Sequence, residues 1–517
     1  MVRQTKPVKP TPTVGELTSN RVLGRSGAWA LAGQAIPIVV AIAAFPYLIR
    51  TLGTGRFGTL TLVWIVAGYL GFLDLGLGAA LTKYAADLLA KDKENEIAPM
   101  AFRALWVMLG LGVAAGLALF LLAPRLAYDV LHTSPSLKPE VASSIRLVAL
   151  IIPVITTTAA LNGLLAAYQR FDVINAIGIP LSALSYGAPV VVAAFRPTLP
   201  AVVLSLAVID VVGWVLTVYF CRRCTPALDF VRGRASSVGL RRLLSFGGWV
   251  TVANFVGPLL VYFDRFLLGA WVSMTEVAYY TTPYSIVTRV LILPSAVAQV
   301  LFPALATSSE ADPERFAVLV DRGIRVICLA VFPLVFLAVL FARPALDLWV
   351  GGRFAANSFV VLQVLALGVF INAPAFVPYS MIQAVGRPDL LAKLYLGELV
   401  PYVLLLWLLV RAHGIEGVAA AWTIRCAADT ALLMMIMRHV TPAVGRAARR
   451  GAVVVLIGCA AMAVAFIPIY GAFRVVLAVA FLGGFAVAGW RWVLNTRERR
   501  YLGLRLGAAL HRGTAPS

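Results

Sequence analysis

The chain has 517 residues, of which 61% are hydrophobic and only 13% charged, and its mean hydropathy is +0.89. Soluble domains carry about 25% charged residues, so this composition excludes a water-soluble globular protein. The net charge of +21 would point to nucleic acid in a soluble protein; here it predicts basic loops that set membrane topology and face anionic lipid.

Residues 1–25 carry Pro7, Pro10 and Pro12 among polar and basic residues, with no apolar core segment, and read as a cytoplasmic tail rather than a cleavable signal. Beyond them the apolar runs are long and continuous, not alternating ten-residue strands, so spanning helices are favoured over a closed barrel. A span needs about 20 apolar residues. Spans are predicted at 26–49, 57–82, 100–124, 144–169, 173–195, 199–220, 245–271, 278–305, 319–342, 357–384, 390–410, 415–437, 451–470 and 475–494. The expected fold class is therefore an all-α polytopic membrane protein with about fourteen transmembrane helices.

With this register, 26 Lys and Arg fall in the tails and alternate loops on one side, against 9 in the loops opposite. The positive-inside rule then predicts both termini in the cytoplasm of a multi-pass inner-membrane protein. The strongest cytoplasmic signals are Arg222, Arg223, Arg232, Arg234, Arg241 and Arg242, and in the tail Arg497, Arg499 and Arg500. The five cysteines predict no disulfide or metal site: Cys328, Cys426 and Cys459 lie in apolar spans, and Cys221-Arg-Arg-Cys224 lacks a redox-fold context.

An internal repeat divides the chain. Trp29-x3-Gly33-Gln34 is echoed by Trp249-x3-Ala253-Asn254, with Pro37 and Pro258 close behind. The segment from Leu164 to Asp172, ending Gln-Arg-Phe-Asp, is echoed from Met381 to Asp389, ending Gly-Arg-Pro-Asp. The predicted organisation is a first six-helix half at 26–220, a basic cytoplasmic loop at 221–244, a second six-helix half at 245–437, two extra helices at 438–494 and a basic tail at 495–517. Six spans per half make the repeats parallel, and transporters built this way bind substrate between the halves and rock them about it.

Three segments carry a family resemblance. They are Tyr47-Leu-Ile-Arg-Thr-Leu-Gly53 through Arg56-Phe-Gly58 to Leu73-Asp-Leu-Gly-Leu-Gly78; Phe263-Asp-Arg-Phe-Leu-Leu-Gly269 with Val277-Ala-Tyr-Tyr280 and Phe302-Pro303-Ala304; and Gln383-Ala-Val-Gly-Arg-Pro388 with Gly414-Ile-Glu-Gly-Val-Ala-Ala-Ala-Trp422. In this order the chain resembles the polysaccharide transporter (Wzx-type, O-antigen flippase) family of the multidrug/oligosaccharidyl-lipid/polysaccharide exporter superfamily. The resemblance implies a flippase moving polyprenyl-pyrophosphate-linked oligosaccharide from the cytoplasmic to the periplasmic leaflet for surface polysaccharide synthesis, with polymerases and glycosyltransferases as expected partners.

Chemistry-bearing motifs are sparse. No Lys follows a Gly, so a GxxxxGK[ST] phosphate loop is excluded. His132, His413, His439 and His511 have no metal-ligand spacing, and no cofactor or enzymatic activity is predicted. Charges inside spans are the informative residues, since each costs at least about 2.5–3.5 kcal/mol at the bilayer centre. Arg289, Arg265, Arg425 and Lys83 are candidates to line a basic cavity, where guanidinium forks would pair pyrophosphate oxygens. Structural alternatives stand beside that reading. Arg425 and Asp429 are i,i+4 and can neutralise each other; Lys83 can snorkel; Asp264 and Arg265 are neighbours about 100° apart on a helix and are not expected to share one direction. Carboxylates at depth are Asp74, Asp210, Asp264, Glu398 and Asp429. Of these, Glu398 and Asp429 are candidate proton or sodium coupling residues, with Glu398 alternatively a partner for Arg425. Gly76, Gly78 and Gly112-x3-Gly116 are expected to allow close helix packing, and Trp249, Trp271, Trp490 and Trp492 to anchor span ends.

Competing readings fit less well. Drug exporters of the same superfamily usually have twelve spans and a carboxylate in span one, where 26–49 has neither Asp nor Glu. A lipid II flippase carries arginine inside span one, whereas Arg50 only caps it here. A membrane polymerase or ligase of lipid-linked sugars is opposed by short outward loops and by the absence of carboxylates from 50–56.

Overall fold

A computed structural model describes residues 20–69, 77–89, 91, 93–224, 260, 262–308, 313–467 and 472–488. Asp74, Trp249, Asn254, Pro258, Trp490, Trp492 and most of the 221–244 loop and of both tails lie outside the described residues. The chain forms two compact units, 1–254 and 255–517. Among the described residues every element is helical, and nine helices are long and apolar enough to cross a membrane.

The first unit contains α1 (Asn20–Leu52), α2 (Thr54–Tyr69), α3 (Leu77–Leu89), α4 (Ile97–Arg125), α5 (Lys138–Ala167), α6 (Phe171–Phe195) and α7 (Leu199–Cys224). At its centre is α5, packed by α3, α4 and α7 and buried along more than half of its apolar stretch. Small residues let the backbones approach. A Cβ on Gly112 would sit 2.5 Å from Thr156 Oγ1, and one on Gly116 2.6 Å from the Ala149 carbonyl oxygen. Gly163 faces the backbone of Gly78 across α3 and α5, and there Thr82 Oγ1 donates to the Gly163 carbonyl at 2.8 Å. The expected packing role of Gly78, Gly112 and Gly116 is thus met. At one end of the unit Arg56 grips Glu140 with two bonds, at 2.6 and 2.8 Å, while the same carboxylate accepts the Leu199 backbone N–H at 3.1 Å. One ion pair therefore ties the first turns of α2, α5 and α7, and its carboxylate also satisfies an N–H that α7 cannot pair internally.

The second unit opens on helical residues 262–271 and continues as α8 (Met274–Val287), α9 (Ile292–Ser308), α10 (Pro313–Leu340), α11 (Ala342–Val350), α12 (Gly352–Asn372), α13 (Phe376–Ala384), α14 (Pro388–Val440), α15 (Gly445–Ala465) and α16 (Ala472–Ala488). Its centre is α12, packed by α8, α10, α11 and α14. Ser273 caps α8 by accepting the Glu276 N–H at 3.1 Å, half of the Ser-x-x-Glu capping pattern. Two predicted spans are interrupted by 3-10 turns, Thr288–Leu291 and Ala373–Ala375. In both, a proline (Pro294, Pro374) removes an N–H and crowds the preceding turn.

The two predicted spans 390–410 and 415–437 meet inside α14 at Gly414, whose φ of +56° and ψ of −132° only glycine adopts without strain. Three residues on, a Cβ at Gly417 would strike the Leu409 carbonyl, so the arms of this hairpin cross with no side chain between them.

The sequence echo at 164–172 and 381–389 is also an echo in backbone geometry. Gln169 and Gly386 have positive φ, +55° and +77°. The N–H groups of Arg170 and Arg387 donate to carbonyls five residues back, at 2.9 and 3.0 Å. In each turn the arginine then forks onto the aspartate two residues on: Arg170 to Asp172 at 3.0 and 3.1 Å, Arg387 to Asp389 at 3.0 and 3.2 Å.

Because α3 and α5 touch through backbone at Gly163, Gly163→Ala is expected to overpack that contact and cost about 1–3 kcal/mol. Gly397→Ala, at a helical glycine with open space around it, should be neutral or slightly stabilising. Thermal unfolding of the two purified variants in one detergent checks the contrast.

Candidate functional site

Ionisable side chains at membrane depth gather in the second unit. Asp264 and Arg265 are fully buried, at 0% and 1% side-chain exposure, with Arg265 Nη1 3.4 Å from Asp264 Oδ1. The same aspartate oxygen accepts the Arg265 backbone N–H at 2.8 Å, and its other oxygen accepts the Tyr280 hydroxyl at 2.5 Å. The guanidinium lies over the Tyr284 ring, 3.8 Å from its centroid, with Tyr262 at 5.1 Å and Tyr280 at 5.8 Å. The adjacent residues therefore do pair, contrary to the expectation from their 100° separation. That argument followed the Cα–Cβ directions, whereas the four-bond arginine stem bends back to its neighbour.

Further along, the ring of Tyr284 meets that of Trp422 edge-on at 5.4 Å, which leads into the arms of α14. There Arg425 Nη1 stands 3.6 Å from Glu398 Oε2, the two side chains only 11% and 7% exposed. Tyr402, one turn after Glu398, carries the Arg425 guanidinium over its ring at 5.4 Å. Asp429, one turn after Arg425, is buried and interacts with both Glu398 and Arg425. Glu398 is thus the partner of Arg425 that the sequence left as one of two options. Neither Glu398 oxygen nor Asp429 Oδ1 has a hydrogen-bond donor among the described residues, and Tyr402 Oη and Arg425 Nε have no hydrogen-bond partner there.

The six residues singled out from sequence separate into three places. Arg265, Arg425, Glu398 and Asp429 join one buried layer of the second unit. Arg289 is exposed, held in the 3-10 turn Thr288–Leu291 between α8 and α9. Lys83 is exposed on α3 of the first unit, with its Nζ 5.7 Å from the Tyr84 ring. Asp210 is half-buried on α7. Tyr280, Tyr284, Tyr402 and Trp422 were not singled out as site residues; Tyr402 lies four positions after Glu398, a spacing that could have found it. The five cysteines are free thiols, and among the described residues no group of three His, Cys, Asp or Glu could hold a metal.

Two helical units, each built on one central helix, with paired charges at membrane depth, define a polytopic α-helical membrane protein of transporter architecture. The chain belongs to the family described as "Polysaccharide biosynthesis protein", which it matches over residues 23–309. It is 29% identical over 412 residues to the "Putative O-antigen transporter" of Shigella flexneri, an alignment covering 80% of this chain and 97% of that one. It is also 23% identical over 193 residues to the "Probable low-salt glycan biosynthesis flippase Agl15" of Haloferax volcanii, covering 37% and 41% of the two chains. In fold it is similar to the lipid II flippase MurJ (TM-score 0.68, 10% identity, 90% of this chain and 100% of that one) and to a multidrug resistance MATE family transporter of the MOP superfamily (TM-score 0.67, 15% identity, 81% and 99%). The resemblance drawn from the three sequence motifs is borne out.

Removing one member of a buried ion pair strands the other and typically costs 3–5 kcal/mol. Arg265→Ala is accordingly expected to lower the unfolding temperature sharply and reduce membrane accumulation. Replacing the pair together, Asp264→Asn with Arg265→Met, should recover much of that loss. Equal melting of the single variant and the wild type would refute the pairing.

Proposed function

We propose that this protein is a flippase that carries polyprenyl-pyrophosphate-linked oligosaccharide across the inner membrane for surface polysaccharide synthesis. The observation that carries the reading is family membership together with an alignment spanning 97% of a relative named as an O-antigen transporter. In this reading about fourteen spans form the two six-helix halves and two extra helices, and the halves alternate access to the two leaflets. A pyrophosphate head stripped of water without a counter-charge costs several kcal/mol or more, so its path needs fixed positive charge. Arg289 supplies it best, since it is exposed and no ion pair holds it among the described residues. Arg265 and Arg425 are matched by carboxylates inside their own unit and add no net positive charge to that path, and Lys83 is an accessory charge on the first unit. The likeness to a multidrug transporter supports one second reading, a cation-coupled small-molecule exporter of the same superfamily. A membrane polymerase or ligase of lipid-linked sugars is the more distant rival.

The test is export. In a strain lacking the gene, Arg289→Ala is expected to abolish surface polysaccharide while membrane protein level stays at wild type. Arg289→Lys should restore part of it, keeping charge but losing the bidentate fork. Wild-type export by Arg289→Ala would show that the head group is handled elsewhere.

The proposed orientation, with both termini cytoplasmic, makes its own demand. A cysteine at Ser273, in a predicted outward loop, should react with impermeant thiol reagent added to whole cells, and one at Ser236, in the basic loop, only after lysis. Reversed labelling would overturn the orientation.

A further inference from the structure

The buried layer of the second unit does not balance its charge. Among the described residues its members are three carboxyl groups, Asp264, Glu398 and Asp429, and two guanidinium groups, Arg265 and Arg425. Among the described residues the other titratable groups facing it are neutral in their usual state: Tyr262, Tyr280, Tyr284, Tyr395 and Tyr402, and Cys426 beside Arg425. With every carboxyl ionised, the layer carries one negative charge in excess. The structure also places that excess. Asp264 accepts from the Arg265 backbone, the Arg265 guanidinium and the Tyr280 hydroxyl, so its charge is fully met. Glu398 and Asp429 are left to share the single guanidinium of Arg425, which stands at a loose 3.6 Å from one of them.

Their carboxyl groups come within reach of each other, yet neither Glu398 oxygen nor Asp429 Oδ1 has a donor. Two ionised carboxylates are acceptors only and cannot bond to one another; with one proton between them, one becomes a donor and the contact becomes a hydrogen bond. Like charges sharing one site resist double ionisation in any case. We propose that Glu398 and Asp429 form a proton-binding site that holds one exchangeable proton between two carboxyl oxygens beside Arg425. A proton fits this place better than a metal cation, because a fixed guanidinium 3.6 Å from Glu398 would repel an ion of full charge. Loading joins a proton from water to a carboxylate oxygen and makes the layer neutral; release breaks that O–H bond, returns the proton to water and restores the negative charge. The site is carried on the two arms of the α14 hairpin and so can sense any movement of one arm against the other. As a coupling device it rests on the transport reading above, but the site itself is a property of the isolated protein.

The test uses the purified full-length protein in lipid nanodiscs, without substrate. Proton uptake per chain is measured with a pH indicator as pH is stepped across the neutral range, together with the infrared band of a protonated carboxyl. The wild type should take up one proton and gain one band. Glu398→Gln and Asp429→Asn should each abolish both, while Asp210→Asn, in the first unit, leaves them intact. Glu398→Asp and Asp429→Glu, which keep the charge, should shift the band without removing it, a readout that loss of packing alone would not give. Survival of the step in both neutralised variants overturns the proposal, as does displacement of the proton by sodium at constant ionic strength. Export of wild-type glycan by variants that have lost the step would overturn its coupling role and leave the flippase reading, tested at Arg289, standing.

Discussion

A charge taken into hydrocarbon must find its opposite within the same packed unit, and much of the second unit is arranged around that requirement. An isolated arginine or aspartate at the bilayer centre costs at least about 2.5–3.5 kcal/mol. Asp264 and Arg265 meet it by pairing with each other and by drawing in Tyr280 and Tyr284. Those tyrosines fix the face that α8 turns inward, and Tyr284 in turn sets the position of Trp422. The α14 hairpin then brings its own charges to the same layer. The first unit uses a different economy: its centre is small residues and backbone contact, and its well-formed ion pair, Arg56–Glu140, is only half-buried at the helix ends.

Much of this was legible in the sequence because lipid simplifies the code. Apolar length gave the helices, and described helical residues overlap every predicted span. The spacing Gly112-x3-Gly116 gave a true close contact. The Glu398–Arg425 pair could be named, though not chosen over its rivals, since sequence alone does not say which arms of which helices lie side by side. Three features escaped for identifiable reasons. The Asp264–Arg265 bridge was missed because Cβ directions were followed instead of side-chain reach. Helix α11, nine residues long in what reads as a connection, is too short for periodicity to register. The 3-10 turns sit beside prolines that mark them, but a proline within an apolar run does not say whether the helix bends, breaks or tolerates it.

The turns at Arg170 and Arg387 share a backbone geometry as well as a sequence echo. Surface ion pairs of this kind contribute little to stability, so energy is a weak account of why both turns share an Arg-x-Asp fork, the same five-residue hydrogen bond and a positive φ before it. Geometry accounts for it better. The fork ties the turn to the first residues of the helix that follows it, α6 in the first unit and α14 in the second. The two turns fill the left-handed position differently, glycine in one and glutamine in the other, so what they share is the conformation rather than the residue.

The hairpin at Gly414 has a consequence for how the protein enters the membrane. Its arms have no loop between them, so neither arm can settle in lipid far from the other. Glu398 rides on the first arm and Arg425 and Asp429 on the second. The first arm alone would present the unmatched charge of Glu398 to lipid; folded together, the arms set that charge beside Arg425. A turn without spare residues thus acts as an escort, keeping the charge on one arm beside its partner on the other wherever the pair lies in lipid.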